Sequence, residues 1–346
     1  MRYKLLGNTG LRVSEICLGT MTFGEEWGWG ADKTESRKIF DVFVEAGGNF
    51  IDTANRYTEG TSERYVGEFI ASDREYFVVA TKYTLYNRLN DPNAAGNHRK
   101  NLVQSLEASL KRLNTEYVDL LWVHAWDFLT PVEEVMRGLD DLVRAGKVLY
   151  VGVSDTPAWI VAQANTLARE RGWTPFCALQ IEYSLIERTP ERELLPMARA
   201  FDMAVTPWAP VGAGILTGKY TGKGKADQPR RIQEGSPRLS ERNLRIAEEV
   251  VKIAEELGYT PAQVAINWVR QQPGVMIPIL GARRAEQLKE NLLCLERPLP
   301  EAVMQQLDEI SRVDLGFPHE FLAKDYIRKL VYAGMYDRID RRNRLA

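Results

Sequence analysis

The chain is poor in sulfur and imidazole. Cys17, Cys177 and Cys294 are its only cysteines in 346 residues. Three thiols so far apart exclude a disulfide framework and form no Cys-x-x-Cys pair for a metal or a redox couple. They read as buried, reduced side chains. Histidine stops at His98, His124 and His319, with no His-x-His or His-x-x-x-His pair. A metal-dependent hydrolase would therefore lack its ligands, and no metal site is expected. No run of about 18 apolar residues is present, and the opening MRYKLLGNTG has no apolar core of signal-peptide length. A cytoplasmic protein without a membrane partner is expected. Excess charge is missing too: 45 Lys and Arg stand against 47 Asp and Glu, a formal charge of -2. Nothing global draws the chain to nucleic acid or anionic lipid, so small molecules are the expected partners.

What is present is ordinary globular composition, 45% hydrophobic and 27% charged, arranged with a clear period. Eight short apolar runs read as strands: EICLG (15–19), NFID (49–52), FVVATK (77–82), VDLLWVH (118–124), VLYVGVS (148–154), ALQIEY (178–183), MAVTPW (203–208) and VMIPILG (275–281). Several are apolar almost throughout, as parallel strands covered on both faces are. Amphipathic stretches of helical length lie between them, among them ESRKIFDVFVEAG, HRKNLVQSLEASLKRLN, PVEEVMRGLDDLVRAG and TPAQVAINWVRQQ; in the second, Leu102, Leu106 and Leu110 recur at helical spacing. Eight strand-then-helix units in one chain predict a single (β/α)₈ TIM-barrel domain over 1–346, with an open doubly wound sheet as the alternative. The leading YKLLGNTGLRVS reads as a hairpin plugging the barrel's bottom. Residues 210–237 form a long Gly-, Lys- and Arg-rich loop, and the stretch after about 296 should wrap the outside or the mouth.

In such a barrel the strand carboxyl ends share one face. Asp52 ends the second strand, Lys82 the third and His124 the fourth, while Tyr57 follows Asp52 by five residues. Each alone has a bland explanation: a capping aspartate, a packed tyrosine, a solvated lysine, a satisfied core histidine. Together, four ionisable groups at one level suggest proton donation to a carbonyl. Free tyrosine, with a pKa of about 10, is a weak acid at neutral pH. An ammonium about 4 Å away at an effective dielectric of about 20 contributes roughly 4 kcal/mol, up to about three pKa units before desolvation opposes it. Tyr57 is therefore expected to titrate near neutrality, with Asp52 keeping Lys82 charged and His124 orienting the carbonyl. Without a metal, hydride from a nicotinamide cofactor is the economical electron source.

These residues sit in ordered motifs: LGNTGLRVSEICLGTMTFG, NFIDTANRYTEGTSERYVGEF, TKY, YVDLLWVH, RAGKVLYVGVSD, LQIEYSL, VTPWAPVGAGILTGKY and GARRAEQLKENL. By them the sequence resembles the aldo-keto reductases over nearly its whole length, most closely the bacterial branch similar to the β subunits of voltage-gated potassium channels. The resemblance implies a (β/α)₈ barrel, a catalytic tetrad of Asp52, Tyr57, Lys82 and His124, and NADPH as the usual donor, with NADH as a second. It implies that Gly19, Thr20, Met21 and Asp52 line the nicotinamide end, that Ser154, Asp155 and Gln180 hold its carboxamide, and that Trp208 stacks on the ring. Ala209, Pro210, Val211, Gly212, Leu216, Lys219 and Arg231 fall in the loop along the pyrophosphate, and Gly281, Arg283, Gln287, Glu290 and Asn291 at the adenosine end. Two positions depart from the pattern: Asp155 stands where Asn is common, and Gln287 where Arg is. Arg283 and Arg284 are expected to open the last barrel helix, whose first N–H groups can face an anion. Two functions follow, a carbonyl reductase or a cofactor-binding regulatory or scaffolding subunit like those channel subunits. Trp27, Trp29, Tyr86, Trp126 and Phe128 are candidates for an aromatic pocket wall.

Overall fold

The computed structural model describes residues 1–221, 232, 233 and 235–339. Strands β1 (Tyr3–Leu5) and β2 (Arg12–Ser14) pair antiparallel as the expected hairpin. Leu6 and Val13 are fully buried against the strand starts, in one cluster with Phe50 and Val78, so the hairpin closes the amino-terminal end of the barrel. Gly7 makes that closure possible. Its φ is 60°, and a β-carbon there would lie 2.3 Å from the Cys177 carbonyl oxygen.

Eight parallel strands follow: β3 (Cys17–Gly19), β4 (Phe50–Asp52), β5 (Val78–Tyr83), β6 (Val118–Val123), β7 (Val148–Ser154), β8 (Ala178–Glu182), β9 (Ala204–Trp208) and β10 (Ile279–Leu280). They pair in the order β10-β3-β4-β5-β6-β7-β8-β9. A parallel bridge between Val205 and Met276 joins the two ends, so the sheet is a barrel and not an open doubly wound sheet. The eighth strand is shorter than the 275–281 read from sequence. Pro278 sits in its middle and has no N–H to donate, so the chain before β10 bonds through isolated groups, among them Cys17 N–H to Pro278 O, Val205 N–H to Val275 O and Ile277 N–H to Val205 O.

The outer ring comprises α1 (Lys33–Glu45), α2 (Thr61–Ile70), α3 (Arg99–Leu113), α4 (Val132–Arg144), α5 (Ala158–Arg171), α6 (Leu194–Ala200), α7 (Glu241–Leu257), α8 (Pro261–Arg270) and α9 (Ala285–Leu292). Local signals set their ends. Asp32 caps α1 on the Glu35 N–H; Thr260 and Gln263 form a reciprocal capping box at α8, with Pro261 in the first turn; α5 and α7 stop at left-handed Gly172 and Gly258. Leu102, Leu106 and Leu110 are the buried stripe of α3, each side chain contributing roughly 1.5–3 kcal/mol on full burial. Beyond 296 the described chain carries further helical segments joined by irregular chain, the longest being α10 (Glu301–Ser311), packed on α7.

Inside the barrel the lower positions are apolar and tightly fitted. The Trp122 indole is fully buried among Cys17, Ala80, Ala178 and Ala204, and a β-carbon on Gly152 would sit 2.4 Å from its ring. Polar side chains take over at the carboxyl ends of the strands, where Lys82 stands in direct register with Trp122. Among the described residues no helix is long and apolar enough to cross a membrane.

Candidate active site

Asp52 and Lys82 meet because of the strand register. Asp52 pairs with Ala80, so Lys82 is the next inward position up β5, and its four-carbon stem spans that step. The ammonium is wholly buried and the carboxylate nearly so. Lysine has three N–H groups, and all are used: Asp52 Oδ2 accepts one, Thr53 O accepts at 2.8 Å, and Tyr57 Oη at 3.0 Å. Gln180 Nε2 donates to the other carboxylate oxygen of Asp52 at 3.0 Å.

Tyr57 is held in position by a strained turn. Thr58 and Glu59 have φ of 45° and 54°, a conformation that costs non-glycine residues energy and needs anchoring. The anchor is the loop after β3: Thr58 Oγ1 donates to Phe23 O at 2.6 Å, and Gly24, at φ 116°, lies close against Thr58. His124 stands at the end of β6 with its ring centroid 6.0 Å from that of Tyr57, the planes 82° apart. The structure thus brings Asp52, Tyr57, Lys82 and His124 to one rim.

Their electrostatics differ from the simplest expectation in one respect. Burial lowers the proton affinity of Lys82, but Asp52 and Tyr57 outweigh it and hold the group above its ordinary pKa as an ammonium. Tyr57 does not reach neutrality. Burial pushes its phenol above the usual value, and the opposing pull of Lys82 does not compensate. His124 is pushed down to about 3 by burial and by the Lys82 charge, so its ring is neutral. Its Nδ1 is buried without a partner.

The other rim residues are distributed as follows. Gly19 ends β3, and Thr20 Oγ1 donates to Asp52 O at 2.9 Å; Met21 is half-buried beside them. Ser154 ends β7, and Asp155 follows it at φ 39°. The Trp208 indole at the end of β9 donates to Asp155 Oδ1 at 3.3 Å. Burial raises the Asp155 carboxyl above the usual range despite that bond. Of the three residues expected to hold a carboxamide, Ser154, Asp155 and Gln180, two are therefore engaged within the protein, Asp155 with Trp208 and Gln180 with Asp52. Ala209 and Pro210 lead into a compact turn, Gly212–Thr217, in which Gly212, Ala213 and Gly214 all have positive φ. Val211 O accepts from Leu216 N–H at 3.3 Å, and the Leu216 side chain is fully buried. Lys219 lies back over Gly214, where a β-carbon would meet its Cε at 2.7 Å. Arg231 lies outside the described residues.

The last barrel helix begins later than the sequence implied. Arg283 and Arg284 precede α9, with Arg284 in the capping position. Gln287 folds back so that its Oε1 accepts from Arg283 N–H at 3.2 Å, and Glu35 of α1 takes the Ala285 N–H at 2.8 Å. A carboxylate of the protein itself thus occupies a helix-opening donor, which the motif alone did not reveal. Gly281 precedes this segment, Glu290 is exposed and Asn291 is buried.

Three groups in this region escaped the sequence reading. The Thr53 carbonyl is a backbone atom and carries no side-chain signal. Glu59 and Arg56 form an ion pair at the mouth, hidden within a turn motif. The aromatic candidates also divide: Trp27 lies 6.4 Å from the Tyr57 ring and 5.8 Å from Trp29, and Tyr86 lies under Arg56. Trp126 packs on the core, and Phe128 is exposed.

The site is thus a buried, hydrogen-bonded Asp52–Lys82–Tyr57 cluster at the carboxyl-end rim of a parallel barrel. The Aldo/keto reductase family model matches residues 15–312. The chain belongs to the aldo/keto reductase family. It is 41% identical over 330 residues to norsolorinic acid reductase of Aspergillus flavus, covering 92% of this chain and 83% of that one. It is 38% identical over 331 residues to aryl-alcohol dehydrogenase GME11368 of Pestalotiopsis microspora, covering 93% and 85%. It is 38% identical over 362 residues to aryl-alcohol dehydrogenase [NADP(+)] of Phanerodontia chrysosporium, covering 97% and 92%.

Proposed function

We propose that the chain reduces an aldehyde or ketone to an alcohol, with NADPH as hydride donor and Tyr57 as the proton donor. The observation that carries this reading is the saturated Lys82 ammonium, bonded at once to Asp52, Thr53 O and the Tyr57 hydroxyl. A nicotinamide dinucleotide suits the remaining rim. Ser154, Gln180 and Asp155 offer hydroxyl, amide and carboxyl groups, Trp208 an aromatic face, and the left-handed stretch Gly212, Ala213 and Gly214 a backbone with little side-chain bulk for an extended phosphate chain. The cofactor supplies a hydride to the carbonyl carbon when bound. Among these relatives, the name of the Phanerodontia chrysosporium enzyme carries NADP(+), which favours the phosphorylated form, and two of the three are named for aryl alcohols.

The protein's own part is proton supply. A phenol whose pKa is raised stays protonated at pH 7, and transfer to an alkoxide, a far stronger base, runs downhill. Lys82 then stabilises the phenolate left behind, at a contact where charge assistance roughly doubles an ordinary hydrogen bond. Asp52 keeps Lys82 from neutralising, and Gln180 fixes Asp52. A neutral His124 can direct the carbonyl oxygen toward Tyr57 Oη without adding a second positive charge.

The test is single-turnover oxidation of bound NADPH by 4-nitrobenzaldehyde, followed by the steady-state rate. Sustained turnover supports the enzyme. A single slow oxidation, or none across aldehydes, ketones, quinones and α-dicarbonyls, would favour a regulatory subunit. A kcat/KM at least tenfold higher with NADPH than with NADH is expected, falling toward parity in Arg283→Ala, since a charge-assisted contact to a 2′-phosphate contributes roughly 1.5–3 kcal/mol.

A further inference from the structure

The mouth beside Tyr57 is not a loose collection of loop residues. Trp29 packs on Trp27, with ring centroids 5.8 Å apart. The Trp27 indole Nε1 donates to Glu59 Oε1 at 3.3 Å, while the other Glu59 oxygen pairs with Arg56. The Arg56 guanidinium lies 4.1 Å from the Tyr86 ring centroid and also donates to the Tyr86 hydroxyl. One continuous chain of contacts therefore ties together the loops after β3, β4 and β5. Arg56 and Glu59 flank Tyr57 in sequence, so this chain and the proton donor share one turn. Within it, the half-buried Trp27 ring approaches Tyr57 most closely, at 6.4 Å and 79° between planes.

Such an indole is fixed in two ways: its N–H is held by a carboxylate, and its side is braced by a second tryptophan. A fixed aromatic surface beside the proton donor discriminates among carbonyls by shape. A carbonyl conjugated to a planar ring gains an offset or edge contact with the indole when its oxygen reaches Tyr57 Oη, and a flexible aliphatic aldehyde of similar size gains less. We propose that Trp27 is the specificity-determining residue for aromatic carbonyl substrates, with Glu59 as the positioning residue that holds its indole. This rests on the carbonyl-reductase reading given above.

The experiment compares kcat/KM for 4-nitrobenzaldehyde and for hexanal in wild type, Trp27→Ala, Trp27→Phe, Glu59→Ala and Glu59→Gln, with NADPH throughout. Wild type should favour the aromatic aldehyde. The aromatic-to-aliphatic ratio should fall roughly five- to tenfold in Trp27→Ala, about the loss of one aromatic contact, and recover most of the way in Trp27→Phe. Glu59→Ala should lower the ratio in the same direction. Glu59→Gln, whose amide oxygen still accepts from the indole, should restore it. A ratio unchanged in Trp27→Ala, or parallel loss on both aldehydes in every variant, would overturn the assignment, the latter meaning that Trp27 only supports Tyr57. Absence of turnover on either aldehyde by the wild type would refute the carbonyl-reductase reading, a result distinguishable from failure of the Trp27 assignment.

Discussion

Tyr57 is set between two opposing demands. Burial makes its phenolate expensive, while Lys82, 3.0 Å away, makes it cheaper, and burial prevails in the resting protein. The phenol is therefore protonated over the whole neutral range, and its loss should show only on the alkaline side. The imidazole of His124, near 3, titrates far below neutrality. Together these shifts predict a kcat/KM plateau from about pH 5 to pH 9, and an inflection centred near 6.5 would mean that His124 titrates during turnover. Tyr57→Phe should lower carbonyl reduction by about a hundredfold or more, the scale of a lost general acid, while NADPH affinity by fluorescence titration stays within a few fold. Wild-type turnover in that variant would remove Tyr57 from the chemistry. His124 also links stability to pH. Its folded pKa lies below the unfolded value, so the unfolded chain binds an extra proton between about 6.5 and 3. Stability is full above that window and falls as pH drops through it, by up to roughly 1.4 kcal/mol per pH unit. His124→Gln should flatten the acid limb of urea-unfolding stability between pH 6 and pH 4; an unchanged limb would place the lost proton elsewhere.

At the scale of elements, the barrel interior depends on one large ring fitting against one missing side chain. Gly152 on β7 faces Trp122 on β6 in direct register, and a β-carbon there would lie within 2.5 Å of two ring atoms. Gly152→Ala should therefore destabilise by roughly 1–3 kcal/mol, the usual cost of overpacking, measured by chemical denaturation; a cost under half a kcal/mol would mean that the indole can move. Thr260→Ala, which removes half of the α8 capping box, should cost about 1 kcal/mol. These elements were largely legible in the sequence, because nearly continuous apolar runs and helical leucine spacing are local signals. Asp52, Lys82 and His124 were legible for the same reason, as polar residues ending apolar strands. What sequence did not reveal depends on contacts between distant segments. Pro278 truncates β10, Glu35 reaches across from α1 to the start of α9, and the left-handed pair Thr58–Glu59 turns a carboxylate toward Trp27. The resting proton affinity of Tyr57 is likewise illegible from sequence, because spacing reveals a neighbouring charge but not the depth of burial that opposes it.

For the whole molecule, the weak point of the ring lies beside the rim proposed for the cofactor. Among the described residues, β9 and the segment leading into β10 are joined only by the bridge at Val205 and Met276, with Val205 N–H on Val275 O and Ile277 N–H on Val205 O, both at 2.8 Å. The opposite side of the barrel is joined by longer ladders; β6 and β7, for example, pair at five registered positions. A seam with so few bonds should open locally at lower free energy than those ladders. Trp208 ends one strand of the seam and Gly281 follows the other. A dinucleotide bridging them would bind the closed barrel and not the parted one. Mass action then stabilises the closed form by about 2.7 kcal/mol at a ligand concentration a hundredfold above Kd. Hydrogen exchange followed with and without NADP⁺ should show the Val205 and Ile277 amides exchanging faster than those of Leu121 and Val151 in the free protein, with the larger gain in protection at the seam on binding. Uniform protection across all four amides would mean that the ring opens only by global unfolding. Protection confined to β4–β6 would move the dinucleotide away from the β9–β10 side.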